Sequence, residues 1–321
     1  MTFKPEGIPG PIEGEPVARP KALVVRQATP LLIPAPPIRS MSTFRAKQLI
    51  RDNLSIPTLP AVVQKISNMI QDPDSGAAEI GMLVADDAPL AAKVLRIANS
   101  AYYGLRERCL STEQATSVLG VKVLNNVVRQ AAVIQQFAHL KDCPGFDIDD
   151  IWRHSILVAH ASAEIARRST CKLDLTPEEF HVCGLLHDLG KVIMLDSMGT
   201  EYLTVYQEAP AIGEPLHILE EKRFGFNHTD VGAMVSVRWA LPAQVSAAIQ
   251  YHHGPRESVQ EDPVVALIAN ANLVSKRVSE DQHEAAALTF DEATMSFLGI
   301  DSEAVEGIIE YVDQAKAELV L

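Results

Sequence analysis

The chain has 321 residues, 47% hydrophobic and 21% charged, enough apolar material for one large or two modest cores, so a globular fold is expected. Its 28 Lys and Arg against 41 Asp and Glu leave a formal charge of −13, a field that opposes direct nucleic-acid binding while leaving a local basic patch open. The four cysteines, Cys109, Cys143, Cys171 and Cys183, form no CxxC pair, which excludes a zinc knuckle or redox motif and suits free thiols in a reducing cytoplasm.

The opening MTFKPEGIPGPIEGEPVARP has no apolar h-region, and no later stretch reaches the roughly 18 uninterrupted apolar residues of a membrane span. A cytoplasmic protein without membrane partners is therefore expected. Prolines at 5, 9, 11, 16, 20, 30, 34, 36 and 37 remove backbone donors and fix φ, which predicts a disordered, proline-rich tail over residues 1–45. Its simplest use is as a tether; the alternative is LLIPAPP acting as a polyproline ligand.

From Ser42 onward the pattern is helical. Leu90, Val94, Leu95 and Ala98 share one helix face, and Leu124, Val127, Val128, Ala131 and Ile134 repeat the rhythm. Ser111-Thr-Glu-Gln114 and Thr176-Pro-Glu-Glu179 read as capping boxes, the second with Pro177 at the first helical position. Gly120 and Gly299 read as helix stops. No alternating run bounded by hairpin turns occurs, so the predicted fold is an all-α, two-lobed helical bundle. A breaker-rich junction at Cys143-Pro-Gly-Phe-Asp separates an N-terminal lobe, 46–142, from a C-terminal one, 143–280. Residues 281–321 add helices that pack on the second lobe. In them Val305, Ile308, Ile309, Val312 and Ala315, after a cap at Asp301 or Ser302, make a stripe that closes the domain or pairs two copies as a homodimer. Self-packing is favoured, because an exposed stripe of that size is a liability.

Of the ten histidines, His139, His217 and His283 have no partner pattern, and His160 and His181 read as structural residues inside helices. The informative ones are His154 in Trp-Arg-His-Ser, His187 in HDLGK, His228 in Phe-Asn-His-Thr-Asp, and the His252-His253 doublet. Adjacent His187 and Asp188 on a helix would stand about 100° apart, close enough to share one divalent ion. Imidazole nitrogen with carboxylate oxygen suits iron, manganese or zinc. Gly184 and Gly190 permit close helix approach, and Leu185, Leu186, Leu189, Val192 and Ile193 would bury the pair. A carboxylate so buried must be ligated or paired, and Lys191 at i+3 offers a salt bridge or a phosphate contact. Taken alone, a His-Asp dipeptide is equally consistent with hydrogen bonds between helices. A P-loop is excluded, since five residues separate Gly184 and Gly190 and Val192 follows the lysine.

The ordered set, His154, then HDLGK, then His228, then His252-His253, resembles the HD superfamily of metal-dependent phosphohydrolases. The likeness is closer to its HDOD subgroup, through Ile56-Pro-Thr-Leu-Pro60, the Asp86–Gly104 segment DDAPLAAKVLRIANSAYYG, Ala115-Thr-Ser-Val-Leu-Gly120, FGFNHTDVGA at 224–233 and Trp239-Ala-Leu-Pro242, over about Ile56 to Ser275. The resemblance implies an HD-like C-terminal lobe. It implies His154, His187 and Asp188 as metal ligands, Lys191 as the phosphate-facing catalytic lysine of an active member, and His228, His252 and His253 as the extra ligand-binding histidines of the HD-GYP phosphodiesterases. Two departures stand out: the distal aspartate position falls at Asn272, or at Asn270 in a neighbouring register, and the DGxGYP signature is absent after His253. An amide cannot supply a carboxylate's charge to an ion.

The expected function is therefore that of a bacterial HDOD output or regulatory protein that works by binding signalling proteins or a nucleotide second messenger, without catalysis. The alternative is a metal-dependent phosphohydrolase or phosphodiesterase acting on a nucleotide or cyclic dinucleotide, in which the metal activates water and Lys191 steadies developing charge.

Overall fold

Helix boundaries follow local chemistry throughout the computed structural model, which describes residues 47–48, 50–52, 54, 61–71, 77–142, 146–253, 262–279 and 292–318. The expected tail at 1–45, the Ile56–Pro60 motif, the Cys143 junction and His283 lie outside them. The described helices all belong to the unit Ile38–Leu321. They are α1 (Ala61–Gln71), α2 (Ala77–Ala85), α3 (Ala88–Ala98), α4 (Thr112–Leu119), α5 (Val121–Gln136), α6 (Ile148–Arg168), α7 (Pro177–Leu186) and α8 (Leu189–Met198). There follow α9 (Thr200–Ile212), α10 (Leu216–Phe224), α11 (His228–Arg238), α12 (Ala243–Tyr251), α13 (Pro263–Ser279), α14 (Glu292–Phe297) and α15 (Ser302–Glu318). Among the described residues no strand occurs, as the sequence predicts, and no helix is long and apolar enough to cross a membrane.

Caps set several starts. The Thr176 hydroxyl accepts from Glu179 N–H at 3.3 Å while the Glu179 carboxylate accepts from Thr176 N–H at 2.8 Å, a complete capping box before Pro177. At α4 only half of the expected box forms. Ser111 Oγ accepts from Gln114 N–H, but the Gln114 side-chain Oε1 reaches one residue further back and accepts from Leu110 N–H at 2.9 Å. Gly120, at φ +80°, ends α4 and starts α5, a backbone region that favours glycine.

Two large hydrophobic clusters result, with a small third one of Val205, Ala209 and Leu219. Val63, Ile66, Ile80, Val84, Leu90, Val94 and Ala98 from α1–α3 close over Leu124, Val127, Val128 and Ala131 of α5. A larger cluster gathers α6 to α15. Helix α5 is common to both: Val133 belongs to the larger cluster, as does Phe137 just beyond the helix end. Helix α6, 21 residues and about 30 Å long, is the spine of the second cluster and packs on α7, α13 and α15. Helix α7 lies so close that a Cβ on Gly184 would fall 2.8 Å from Ala159 Cα. Helix α15 is capped by Asp301, whose carboxylate accepts from Ala304 N–H at 2.8 Å. It buries Val305, Ile308 and Val312 in the larger cluster, each contributing about 1.5–3 kcal/mol over exposure.

Candidate metal centre

The spine helix presents His154, and α7, held against it through Gly184, ends at Leu186 and delivers His187 and Asp188 at its tip. Here the structure corrects a detail of the sequence reading, because the His-Asp pair is not inside a helix. It forms the corner between α7 and α8, with Asp188 at φ −98°, ψ 13°. The turn lets both side chains point inward from the junction of two helices. Helix α11 begins at His228, and His252-His253 follow the end of α12.

All of these converge on one carboxylate. Asp188 Oδ2 lies 3.6 Å from His154 Nε2, 3.3 Å from His187 Nε2 and 2.6 Å from Lys191 Nζ. The other oxygen, Oδ1, lies 3.5 Å from His228 Nε2 and 3.3 Å from His252 Nε2. Ligand atoms of Asp188, His228, His252 and His253 all fall within 4.8 Å of one another, and so do those of His154, His187 and Asp188. The sequence reading had kept the two histidine sets apart, and the fold places both on Asp188.

The far side of each ring shows which nitrogen faces inward as a lone pair. His187 Nδ1–H donates to the Gly184 carbonyl at 2.6 Å, and His252 Nδ1–H to the Ile249 carbonyl at 2.9 Å. His228 Nδ1–H donates at 2.6 Å to Glu220 Oε2, which also accepts the His228 backbone N–H, while Tyr202 Oη donates to Glu220 Oε1. With Nδ1 carrying the proton, Nε2 of each neutral ring has none to give. Those three Nε2 atoms and Asp188 Oδ1 are buried without a hydrogen-bond partner. Lone pairs packed around a carboxylate repel unless a cation stands among them, so the residues fit a metal ion. Bonds of about 2.1 Å at tetrahedral or octahedral angles set ligand atoms about 3.0–3.4 Å apart, close to the spacings seen.

Electrostatics agree. Burial alone would raise the Asp188 carboxyl, but the His187 ring and the Lys191 ammonium outweigh it and hold the group well below the usual carboxylate range. Burial would likewise lower Lys191, and Asp188 keeps it raised. Burial pushes His154 well below its ordinary value and His252 down to about 3, against the pull of Asp188. Burial thus keeps the His154 and His252 rings neutral beside an ionised carboxylate, protonation states that metal binding requires.

A cavity of about 460 Å³ opens beside the centre, lined by His154, Asp188, Lys191, Tyr206, Lys276 and Lys316 among others. Lys316 comes from α15 and donates to the Val278 carbonyl at 2.7 Å. Asn272 is buried on α13, one turn before Lys276, and its Oδ1 has no hydrogen-bond partner. Among the described residues it makes no hydrogen bond to the histidines or Asp188. The alternative register, Asn270, donates to the Ala266 carbonyl of its own helix at 2.8 Å. Sequence reasoning missed Glu220, Tyr202 and Ser275, whose Oγ lies 3.1 Å from His154 Nδ1. It also gave His217 no role, whereas its ring stacks on His253 at 4.3 Å.

Residues 56–255 match the HDOD domain, and the chain belongs to that family. Its fold is shared by an HDOD domain protein of unknown function from Geobacter sulfurreducens, 24% identical, TM-score 0.68, over 87% of this chain and 99% of that one. It is also shared by a candidate phosphohydrolase from Shewanella amazonensis SB2B, 22% identical, TM-score 0.65, over 88% of this chain and 99% of that one. A candidate signal transduction protein from Marinobacter aquaeolei VT8 is 20% identical, TM-score 0.66, over 86% of this chain and 64% of that one. An uncharacterized protein of Treponema pallidum is 24% identical over 268 residues, 83% of this chain, which spans about half (50%) of that relative's length.

Proposed function

We propose that this HDOD protein is a metal-binding regulatory module that acts by engaging signalling proteins or a phosphorylated second messenger and does not turn that ligand over. The observation that supports it most is the convergence on Asp188 of buried Nε2 atoms that have no hydrogen-bond partner, an arrangement that a bound cation would satisfy. The metal ligands in this reading are His154, His187 and Asp188, with the ion drawn from iron, manganese or zinc; His228, His252 and His253 extend the donor set on the other carboxylate oxygen. By the resemblance, Asn272 stands where an active relative places a metal-binding carboxylate, and the loss of that ligand favours binding without turnover. The reading carries with it the division into lobes at 46–142 and 143–280, a cytoplasmic setting, and self-packing of the C-terminal helices in preference to a homodimer.

A second reading, a phosphohydrolase, is favoured by one specific feature: Lys191, Lys276 and Lys316 all face the cavity beside the centre, where a phosphate would sit. The metal would supply polarisation of the phosphoryl oxygen; Lys191 would hold the substrate's charge, tethered to Asp188 at 2.6 Å. Elemental analysis of the purified chain, with nucleotide and cyclic-dinucleotide turnover assays beside a His187→Ala, Asp188→Ala variant, separates the two. Stoichiometric metal without turnover supports the first reading. Turnover abolished in the variant establishes the second, and metal content no different from the variant's defeats both.

A further inference from the structure

One feature that the metal centre does not use is a second cavity, of about 440 Å³, between the two large hydrophobic clusters. That volume lies within the range of about 300–1,000 Å³ usual for small-molecule sites. One side comes from α3, α5 and the segment 99–108; the other comes from α6 and α7, through His160, His181 and Leu185.

Its charge is one-sided. Lys93, Arg96 and Arg108 line it and no carboxylate does. Among the described residues none of the three forms an ion pair. Arg108 is brought there by a two-bond clasp: Asn99 Nδ2–H donates to the Cys109 carbonyl at 3.0 Å, and Cys109 N–H donates to Asn99 Oδ1 at 2.8 Å. Lys93, part-buried, and the exposed Arg96 and Arg108 give the hollow a positive rim that would attract an anion. Burial first, then Lys141 and Arg96, lowers the Lys93 ammonium, against the pull of Asp149.

The inner wall is aromatic. Tyr102 and Tyr103 meet edge to face at 4.8 Å, and the Tyr102 ring lies 4.3 Å from His181. Gln130 Nε2–H donates to His181 Nδ1 at 2.9 Å, which leaves the ring proton of the neutral imidazole on Nε2 as a fixed donor. Planar rings beside fixed polar groups, under a cationic rim, are what a heterocyclic base with a phosphate requires.

We infer that this hollow is a nucleotide site, in which Lys93, Arg96 and Arg108 hold the phosphates and the base lies against Tyr102, Tyr103 and His181. It is independent of the metal centre, although α6 and α7 serve both: His160 and His154 share one helix, and His181 lies on the helix that ends at His187. A nucleotide here would touch both clusters at once.

Calorimetric titration of the full chain with ATP, GTP, AMP and GMP, and with adenosine, guanosine and tripolyphosphate, tests this. At least one nucleotide is expected to bind, with its nucleoside and tripolyphosphate each weaker by about tenfold or more. The Lys93→Ala, Arg96→Ala, Arg108→Ala variant is expected to lose a similar factor, while His187→Ala, Asp188→Ala keeps full nucleotide affinity. If the triple variant fails to fold, Arg96→Glu, at an exposed position on α3, must still weaken binding. The inference is overturned if none of the four nucleotides binds at about 1 mM, if tripolyphosphate binds as tightly as the nucleotides, or if binding survives loss of the cations and disappears with His187 and Asp188. The last result would place the nucleotide at the metal centre.

Discussion

Gly190 and His228 meet backbone to backbone: a Cβ on Gly190 would fall 1.8 Å from the His228 carbonyl oxygen and 3.0 Å from Gly232 N. Neither obstacle is a side chain that can swing away, so α8 and α11 owe their approach to the missing methyl. Gly190→Ala is expected to destabilise the protein by about 3 kcal/mol and to lower bound metal, because the displaced helix carries the first residue of the second histidine set. Urea denaturation and elemental analysis read the two effects. An unchanged midpoint would mean the two helices are not in contact in solution.

Asp188→Asn tests whether one carboxylate serves both histidine sets. The amide fits the same space, so the helical circular-dichroism spectrum should persist, while metal content falls at least about tenfold. A variant that retains metal at the wild-type level would show that the histidines bind without Asp188.

Glu220→Gln addresses orientation. Glu220 holds His228 through both its ring and its backbone N–H, and losing such an outer partner usually costs about 10–100-fold in metal affinity. Competition with a chelator measures this. Tyr202→Phe, which removes only the bond to Glu220 Oε1, is expected to have a smaller effect in the same direction.

His160 makes stability depend on acid. Burial first, and then the Arg167 guanidinium, pushes its pKa down to about 4. The unfolded chain therefore takes up this proton near the ordinary value of about 6.5, before the folded one does. Stability is complete above that value and is lost as pH falls towards 4, by at most about 3 kcal/mol. Urea midpoints of wild type and His160→Gln, taken from about pH 7 to about pH 4.5, should converge at the acid end if His160 is the group responsible.

Much of this architecture could be read from apolar spacing and caps. Leu90, Val94 and Ala98 are buried as their period requires, and the Thr176 box closes as written. The convergence of His154, His187 and Asp188 followed from family order. What stayed hidden was relational. Glu220 sits beside Glu221 in an ordinary-looking helix, and nothing local distinguishes the wholly buried one from its neighbour. Periodicity runs through the His-Asp pair without announcing that the helix breaks there, because leucines flank both sides. His160 and His181 read as core residues. They are buried, yet they line a hollow whose other wall comes from residues 93–108, a pairing of distant segments that no window of sequence contains.

Lys316 lies well past residue 255, where the match to the HDOD domain ends, as do Lys276 and Ser279, yet all three stand at the mouth of the metal centre. Part of the cavity's cationic rim is thus written in a different stretch of chain from the histidines. Under the proposed reading, relatives could exchange or erode the downstream helices and loosen their hold on anions, while Lys191 and the histidines beneath stayed as they were.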